Sequence, residues 1–283
     1  MKAVAFEYEA PSSLDAACTL LDRTSDGVKV MGGSQSMGPM LNMRLVRPTR
    51  VVDVSRLPEL RTVQADGESV RIGAAVTHAE IEDGVFPELQ GSMLQHVAAN
   101  IAYRAVRNRG TLGGSLAHAD PAADWVVICT VLGARLTLVS ARGTRDVAMD
   151  DFMLGAYTTA LQDGEVIATV TVPRESAASR WAYEKFCRKT GEFAEASCAA
   201  WFDSSRRTGR IVAGALDGAP QVLNELTVAF AAQGPGWIGT PAFEALLTDA
   251  ARGAAPDRDA ADQKLMCAVI RRTLAQFSAE TKR

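Results

Sequence analysis

The sequence predicts an α+β fold in which two small α/β units are followed by an antiparallel sheet with helices. Short Val-rich runs alternate with amphipathic stretches as far as Pro173, a pattern typical of strands that alternate with helices. A short polar stretch without periodicity, 174–179, separates this part from a further series of strand-like runs. Two longer stretches with helical periodicity end the chain.

The first unit, residues 1–60, has the pattern of a small β-α-β lobe. Apolar residues recur at helical spacing between Ser12 and Arg23, and Ser12 or Ser13 is placed to cap that helix. A short strand is predicted at 28–31 and another at 49–54, and the chain turns after the second strand, at 56–60.

The second unit, residues 61–175, and the third unit, residues 176–283, are divided into elements by the same periodicities. In the second unit the sequence predicts strands at 70–74, 134–139 and 165–172, a helix at 78–81 capped by Thr77, and a helix at 93–101. In the third unit it predicts strands at 181–187, 196–202, 210–216 and 226–229 and helices at 241–251 and 257–277, with a linker at 253–256 and Asp257 as the cap of the last helix.

The composition argues against several classes of function. Hydrophobic residues make up 47% and charged residues 22% of the 283 residues, which is ordinary for a globular protein with well-filled cores. The net charge of −3 does not suit non-specific nucleic-acid binding, which needs a basic surface. No apolar run approaches the roughly twenty residues that span a bilayer. Residues 1–7 lack the apolar core of a signal peptide, which predicts a cytoplasmic protein.

The cysteines and histidines predict neither a metal site nor a disulfide framework. The five cysteines are odd in number and none lies in Cys-x-x-Cys spacing, so most are expected to be small buried apolar residues. The three histidines are too scattered for a metal-ligand motif. No nucleophile with a partnering base is evident either. The sequence therefore predicts no catalytic residue and no metal ligand, and a bound organic cofactor would supply the chemistry.

Two glycine-rich turns stand out in this chain. The first glycine turn reads Lys29-Val30-Met31-Gly32-Gly33-Ser34-Gln35-Ser36, and the second reads Arg107-Asn108-Arg109-Gly110-Thr111-Leu112-Gly113-Gly114-Ser115. Glycine lets the backbone approach a ligand closely, and exposed N–H groups in such a turn form an anion-binding concavity to which Ser and Thr hydroxyls add donors. Each turn alone is more often a plain loop, but together they predict two halves of one diphosphate site. Neither matches a Rossmann G-x-G-x-x-G or a P-loop, so a nicotinamide-type site is not indicated.

The residues around both turns resemble one family. The run Gly32-Gly33-Ser34-Gln35-Ser36-Met37-Gly38-Pro39-Met40-Leu41-Asn42-Met43-Arg44-Leu45 is similar to its first flavin motif, and the second turn with Ala119-Asp120-Pro121-Ala122-Ala123-Asp124 after it is similar to its second. The part from Tyr183-Glu184-Lys185-Phe186 through Arg271-Arg272-Thr273-Leu274 resembles its C-terminal domain. The family is the FAD-binding medium subunit of molybdenum hydroxylases, the carbon monoxide dehydrogenase and xanthine dehydrogenase group, and the resemblance covers essentially the whole chain.

The resemblance implies a fold, a cofactor and partners. The two α/β units would form an FAD-binding domain of the vanillyl-alcohol-oxidase (PCMH) type, and the third unit would be a domain like that of carbon monoxide dehydrogenase flavoproteins. A large partner subunit would carry a molybdopterin cofactor and a small one two [2Fe–2S] clusters, in a dimer of heterotrimers. This chain would hold FAD, accept electrons from the clusters and pass them to an external acceptor. The lack of cluster-type cysteine spacing agrees with that division.

The resemblance also assigns residues to the FAD pyrophosphate. Main-chain N–H groups of the first turn and the hydroxyls of Ser34 and Ser36 would hold one side of it. The other side would be formed by Thr111, Gly113, Gly114 and Ser115. Many family members have glycine at the position of Ser34. The assigned residues of the first turn are Lys29, Val30, Met31, Gly32, Gly33, Ser34, Gln35 and Ser36.

Other positions match family residues at the remaining parts of the cofactor. Asp124 would reach a ribose or adenine group, with a helix cap as the alternative role, although Asp120 is the better cap candidate. Arg107 and Arg109 would either neutralise the pyrophosphate or pair with surface acids. Which of these roles applies is left open by the sequence.

Three further residues match family positions at the isoalloxazine ring. Leu161 would meet the ring through its backbone, and Ile101 would lie against it. Lys185 would lie near the N1–C2=O region, where a cation stabilises the reduced flavin. A solvated strand lysine is the alternative interpretation of Lys185, and a core position is the alternative for Leu161.

These observations favour an electron-transfer flavoprotein subunit and leave two alternatives. A stand-alone flavoprotein oxidoreductase acting on a small molecule would need a substrate pocket with a convergent base, for which the third unit offers no candidate. A non-catalytic nucleotide-binding or assembly module would bind the nucleotide without redox chemistry.

Overall fold

The structure, a computed structural model, describes residues 2–22 and 27–278. Within them the chain forms a three-stranded, a five-stranded and a four-stranded sheet, a two-stranded ribbon, and helices that pack between and around the sheets. This combination of parallel and antiparallel sheets with helices confirms the predicted α+β class. Arg23, the last residue of the first predicted helix, lies outside the described residues.

The N-terminal lobe is a parallel sheet with one covering helix. It contains β1 (Glu7–Glu9), α1 (Leu14–Asp22), β2 (Val28–Met31), α2 (Met37–Asn42) and β3 (Arg50–Asp53). β3 lies between β1 and β2 and pairs with both in parallel, as the predicted β-α-β pattern requires. Val51 and Val52 of β3 are fully buried, and Ala17 and Leu21 of α1 share an apolar cluster with Val52. The hydroxyl of Ser13 accepts a hydrogen bond from the N–H group three residues later (3.1 Å), so Ser13 is the cap.

The second sheet is antiparallel and is accompanied by a run of short helices. Its strand order is β4-β5-β10-β6-β7, while β8 and β9 form the separate ribbon. Thr77 caps the first of these helices in a capping box with Glu80, as predicted. The elements are β4 (Val63–Asp66), β5 (Ser69–Gly73), α3 (His78–Glu82), α4 (Met93–Ala98), α5 (Arg104–Arg107), α6 (Leu112–His118), α7 (Asp124–Val131), β6 (Arg135–Ser140), β7 (Gly143–Ala148), α8 (Met149–Phe152), β8 (Met153–Gly155), β9 (Thr158–Thr159) and β10 (Val166–Pro173).

The third sheet is antiparallel and is covered by helices on one face and by α7 on the other. β12 alternates between the faces: Cys198 and Ala200 join the cluster with the C-terminal helices, whereas Ala199 and Trp201 join the core that contains α7. The elements are β11 (Ser179–Phe186), β12 (Ala196–Asp203), β13 (Thr208–Gly214), β14 (Gln221–Val222), α9 (Asn224–Gln233), α10 (Pro241–Ala254) and α11 (Ala260–Ala275), with the strands in chain order.

Helix α7 is the element that the second and third sheets share. All of its residues are buried, as expected of a helix that is apolar on nearly every side. Trp125, Val127 and Ile128 belong to one core cluster with Leu136 and Leu138 of β6, and this cluster extends into β12 and β13. The N-terminal end of α7 therefore lies where the two sheets meet, and it carries Asp124.

The strand predicted at 226–229 is wrong, because these residues lie in α9. Leu226 and Phe230 are one helical turn apart and pack into the same apolar cluster, so the short apolar run has helical rather than alternating periodicity. The fourth strand of the sheet is instead the short β14.

Three helix boundaries also differ from the prediction. The cap of α11 is Asp259 and not Asp257, because the carboxylate of Asp259 accepts the N–H groups of Ala261 and Asp262, the second and third residues of the helix (2.8 and 2.9 Å). α10 continues through Ala254, so the predicted linker at 253–256 is shorter. α4 ends at Ala98, well before the predicted end at residue 101, and the turn that follows includes a residue with positive φ.

The hairpin between β12 and β13 is held by a buried carboxylate. The side chain of Asp203 is fully buried and accepts hydrogen bonds from the hydroxyls of Ser176 (2.9 Å), Ser179 (2.8 Å) and Ser205. The backbone N–H groups of Ser205 (2.9 Å) and Arg206 (3.1 Å) donate to it as well. These donors hold the pKa of the Asp203 carboxyl far below its ordinary value, with the Ser205 hydroxyl making the largest contribution.

We expect the variant Asp203→Asn to lose about 2 kcal/mol of unfolding free energy at pH 7, because an amide cannot accept this set of bonds as an anion does. A carboxyl whose pKa is lowered by folding contributes stability above its unfolded pKa of about 3.9 and loses it as the pH falls further. The gap between wild type and variant should therefore shrink below about pH 4. Urea unfolding across this pH range measures it. Asp257→Asn, at an exposed position, is the control that should show no gap, and a pH-independent gap would contradict the assignment.

Candidate cofactor-binding site

The first glycine turn begins inside a strand. Lys29, Val30 and Met31 lie in β2 and pair with β3, and only residues 32–36 form the turn that leads into α2. Ser34 has φ +64°, in the left-handed region. A residue with a Cβ pays roughly 1–2 kcal/mol for that conformation, which explains physically why glycine suits this position.

Consecutive backbone N–H groups in this turn are free. Among the described residues, no acceptor takes a hydrogen bond from the N–H groups of residues 32–36. The carbonyl groups of Ser34 and Ser36 are already used, because they accept bonds from the first turns of α2 (2.9 and 3.1 Å). Ser36 makes no side-chain cap with α2, so its hydroxyl is not engaged there either. A row of open N–H donors is what an anion-binding turn offers.

Most N–H groups of the second glycine turn already donate to acceptors within the protein. Those of Leu112 and Gly113 donate to carbonyl groups of the segment that follows β5 (3.0 and 2.9 Å). That of Gly114 donates to the hydroxyl of Thr111, the N-cap of α6 (3.1 Å). Within the described residues, only the N–H of Thr111 in the second turn lacks an acceptor, whereas the first turn has a consecutive row of such donors. The second turn offers the exposed backbone of Gly114 and the half-buried Ser115.

The two turns are in direct contact, backbone against backbone. A Cβ on Gly33 would lie 1.7 Å from the carbonyl oxygen of Arg109 and 2.8 Å from Cα of Gly110, and a Cβ on Gly32 would lie 2.8 Å from the hydroxyl oxygen of Thr111. These approaches leave no room for side chains at Gly32 and Gly33. The structure thus brings the two predicted half-sites together into one groove.

A buried ion pair lies where α7 meets the third sheet. The ammonium group of Lys185 donates to Oδ1 of Asp124 (2.8 Å) and to the carbonyl oxygen of Asn100 (2.9 Å). The hydroxyl of Tyr183 donates to the same Oδ1 (2.8 Å). The side chains of Lys185 and Asp124 are 13% and 9% exposed, so the pair is largely shielded from water. Lys185 is therefore not a freely solvated strand lysine.

The ion pair fixes the position of Asp124. Its carboxylate is in contact with Lys185, so the two side chains lie at one place in the structure. The roles predicted for them, adenine or ribose for Asp124 and flavin for Lys185, stay predictions. Asp120 makes the local turn instead, since its carboxylate accepts the N–H of Ala122 (2.9 Å) just before α7.

Ile101 and Leu161 both pack against the large core cluster while staying partly exposed. Ile101 directly follows Asn100, which places it beside the ion pair. Leu161 follows the β8–β9 ribbon, and its N–H donates to the hydroxyl of Thr159 (3.3 Å). The first of these predicted residues is thus brought to the ion pair, and the second is anchored by its own loop.

The two arginines of the second turn have different partners. Arg107 pairs with both carboxylate oxygens of Glu82 (2.7 and 2.9 Å) and donates to the carbonyl groups of Ile101 and Ala102 (3.0 and 3.1 Å). Arg107 is therefore a structural residue that holds the turn after α4. Arg109 is exposed, and within residues 2–22 and 27–278 it forms no ion pair, so it remains available to an anion.

Sequence reasoning missed two residues at this site, Tyr183 as the partner of Asp124 and His78 behind the second turn. Burial, with the nearby charge of Arg107, lowers the pKa of His78 to about 3, so its imidazole is neutral. Its Nδ1 accepts a hydrogen bond from the indole of Trp125 (3.0 Å) and its backbone N–H donates to Gly110 (2.9 Å). Both residues act through contacts distant in sequence, which no local pattern reveals.

The described residues hold no group of three or more His, Cys, Asp or Glu side chains suited to a metal ion. Cys18, Cys129 and Cys198 are buried, as predicted for small apolar residues. Burial raises the pKa of the Cys129 and Cys198 thiols to about 12. In the part of the chain that the structure describes, no helix has the length and apolar character needed to cross a membrane.

Comparison with known proteins shows that this fold is shared with medium chains of molybdenum enzymes. The carbon monoxide dehydrogenase medium chain of Hydrogenophaga pseudoflava is 36% identical over 203 residues, 72% of this chain and 71% of that protein. The nicotine 6-hydroxylase medium subunit of Paenarthrobacter nicotinovorans is 37% identical over 70% of this chain and 69% of its own length. In a solved structure of the Hydrogenophaga pseudoflava carbon monoxide dehydrogenase that lacks the Mo-pyranopterin moiety, a chain superposes with a TM-score of 0.86 at 30% identity, each chain being covered to 100%.

These similarities define the chain as a flavoprotein of the molybdenum hydroxylase class. Residues 4–175 match the family model described as the FAD binding domain in molybdopterin dehydrogenase, and the chain belongs to that family. The resemblance seen in the two glycine turns is confirmed, and so is the PCMH-type fold that it implied.

We expect Gly33→Ala to lower the free energy of unfolding by about 1–3 kcal/mol, because the added methyl group would overlap backbone atoms that cannot rotate away. Chemical denaturation measures the change. Gly253→Ala is the matched control: nothing lies within 4 Å of that added methyl group, and the position is inside α10. There the substitution should be neutral or stabilising by up to about 1 kcal/mol. Equal effects at both positions would contradict the turn–turn contact.

Proposed function

We propose that this chain is the FAD-binding electron-transfer subunit of a heterotrimeric molybdenum hydroxylase, and that FAD lies in the groove between residues 32–36 and residues 107–115. It accepts electrons from [2Fe–2S] clusters of a small partner subunit, while a large partner subunit carries the molybdopterin cofactor. The observation that carries the binding mode is the row of free N–H groups at 32–36, packed against the second turn. A dimer of heterotrimers and a cytoplasmic location, both predicted from the sequence, complete the proposal.

The first glycine turn is proposed to hold the pyrophosphate. Its open N–H groups and the hydroxyls of Ser34 and Ser36 are donors suited to phosphate oxygens. The exposed Arg109 supplies positive charge on the facing turn. From the second turn, the contribution is close approach at Gly114 and the hydroxyl of Ser115, because most of its N–H groups are already hydrogen-bonded.

Asp124 and Lys185 are proposed to face the isoalloxazine end together, with Ile101 and Leu161 bordering it. An ammonium group has three N–H donors, and Lys185 uses two of them on Asp124 and Asn100. The third is left for a ligand oxygen. When bound, FAD supplies the redox chemistry, and Lys185 holds a positive charge where reduction adds negative charge. The chain itself needs no catalytic side chain.

The division at residues 60 and 175 is part of the proposal. Residues 1–60 supply the first turn, residues 61–175 supply the second turn and Asp124, and residues 176–283 supply Lys185. A role as a subunit is favoured over a stand-alone oxidoreductase, because the similar proteins are named as medium chains or medium subunits of larger enzymes. Cavities of about 320 and 440 Å³ lie elsewhere, along α9 and α10 and beside the β12–β13 hairpin, and include none of the proposed FAD-binding residues.

The variant Ser36→Asp, which introduces a negative charge, tests the pyrophosphate assignment. A carboxylate at this position would repel the diphosphate, and we expect FAD affinity to fall by about tenfold to a hundredfold, a cost of roughly 1.4–2.8 kcal/mol. Aspartate suits the N-cap of α2, so the fold should not be weakened. Ser36→Asn, equally suited to the cap but neutral, is the matched control. Equal FAD affinity of the two variants would contradict the assignment of the pyrophosphate to this turn.

The subunit role is tested by co-expressing the chain with its large and small partner subunits and desalting the purified complex. Flavin absorption that survives desalting, and that bleaches when the complex is given its reducing substrate, is the expected result. A complex that assembles without flavin would overturn the proposed function.

A further inference from the structure

A chain of hydrogen bonds converges on the ion pair between Asp124 and Lys185. Tyr183 and Lys185 are two residues apart on β11, so both side chains leave the same face of the strand. Asp124 lies opposite them in the first turn of α7. Both donors bind one carboxylate oxygen, Oδ1, at 2.8 Å each.

We propose that Tyr183 is a positioning residue for the flavin: its hydroxyl fixes the carboxylate of Asp124, and the carboxylate in turn fixes the ammonium group of Lys185. The inference rests on the proposed function for the identity of the ligand. The anchoring itself is a property of the chain without its cofactor, and it can be measured there.

Tyr183 can orient the carboxylate because it donates to the same oxygen of Asp124 as Lys185 does. A carboxylate held by a single donor can rotate about its Cβ–Cγ bond, whereas two donors on Oδ1 from one strand fix the orientation of the group. Only Lys185 among these donors carries a charge. The tyrosine therefore sets geometry and shares the negative charge of Asp124 without cancelling it.

The environment keeps the tyrosine a donor. Tyr183 is buried, and burial together with the adjacent Asp124 raises the pKa of its hydroxyl well above its ordinary value. The hydroxyl thus stays protonated at neutral pH. Ser197, on the neighbouring strand β12, lowers this pKa, but burial and Asp124 outweigh it.

Lys185 is held on its other side by neutral backbone. The carbonyl group of Asn100 accepts its second N–H, and the turn after α4 is fixed by Arg107 and Glu82. Loss of the tyrosine hydroxyl would therefore not release the lysine entirely. It would weaken the contact between the ammonium group and its counter-ion, the carboxylate of Asp124.

The variant Tyr183→Phe keeps the aromatic packing and removes only the hydroxyl. In the full chain without FAD, we expect the amine of Lys185 to react several-fold faster with an acylating reagent, with sites identified by mass spectrometry. Lys189, exposed a few residues later, is the internal reference and should not change. Tyr157→Phe, which removes an exposed hydroxyl 3.4 Å from Asp120, is the control variant and should leave the labelling of Lys185 unchanged. Asp124→Asn, a second route to the same loosening, should also accelerate labelling.

In the flavin-loaded complex, Tyr183→Phe should lower the two-electron potential of the flavin, because the ammonium group of Lys185 is then held less firmly through Asp124 and stabilises the reduced ring less. A tenfold weaker preference for the reduced flavin corresponds to about 30 mV. The shift should vanish when Tyr183→Phe is placed in a Lys185→Met background, because the tyrosine acts through the lysine. An equal shift in both backgrounds would overturn the proposal.

Unchanged labelling of Lys185 in Tyr183→Phe would also overturn the proposal, because it would mean that the hydroxyl does not anchor the lysine; faster labelling in Asp124→Asn shows that the assay detects a loosened lysine. A complex without flavin would instead defeat the proposed function. In that case the labelling comparison, made without cofactor, still decides whether Tyr183 anchors Lys185.

Discussion

The backbone of Gly33 lies against the carbonyl group of Arg109 with no space for a side chain between them. The two turns that meet here belong to different sheets, so the contact exists only when the parallel N-terminal sheet is docked on the antiparallel second sheet. The apolar cluster that contains Ala17, Val52, Val166 and Ala168 provides that docking. The groove is therefore a product of tertiary packing, and neither turn forms it alone.

The charged end of the site depends on a comparable arrangement. Asp124 begins a helix that is buried on every side, and its partners Tyr183 and Lys185 lie on a strand of the third sheet. A buried ion pair is costly unless its remaining donors and acceptors are satisfied. Here Asn100 and Tyr183 contribute the additional bonds. The proposed cofactor site thus draws on elements of all three sheets, with open N–H donors in the first turn and a fixed cation where the second and third sheets meet.

The sequence indicated which residues form the candidate site but not the hydrogen bonds that they make. Glycine spacing and flanking hydroxyls identified both turns, because those features are local. The same spacing did not reveal that the N–H groups of Leu112 and Gly113 donate to carbonyl groups of the segment after β5. Those bonds depend on where that segment lies in the fold. The ion pair of Asp124 with Lys185 was not predicted either, since it joins residues far apart in sequence. Among the elements, long periodic stretches were predicted well. The 226–229 run was misjudged because so few residues cannot distinguish the two periods.

The complete burial of α7 has a consequence for the order in which the protein is made. The helix leaves the ribosome well before β12 and β13, which supply part of its apolar surroundings. Until those strands are synthesised, this largely apolar helix has one side without its native neighbours, and Asp124 lacks both of the donors on β11 that hold it. The segment matched as the FAD-binding family unit, residues 4–175, is thus an evolutionary unit whose folding is completed by the chain that follows it.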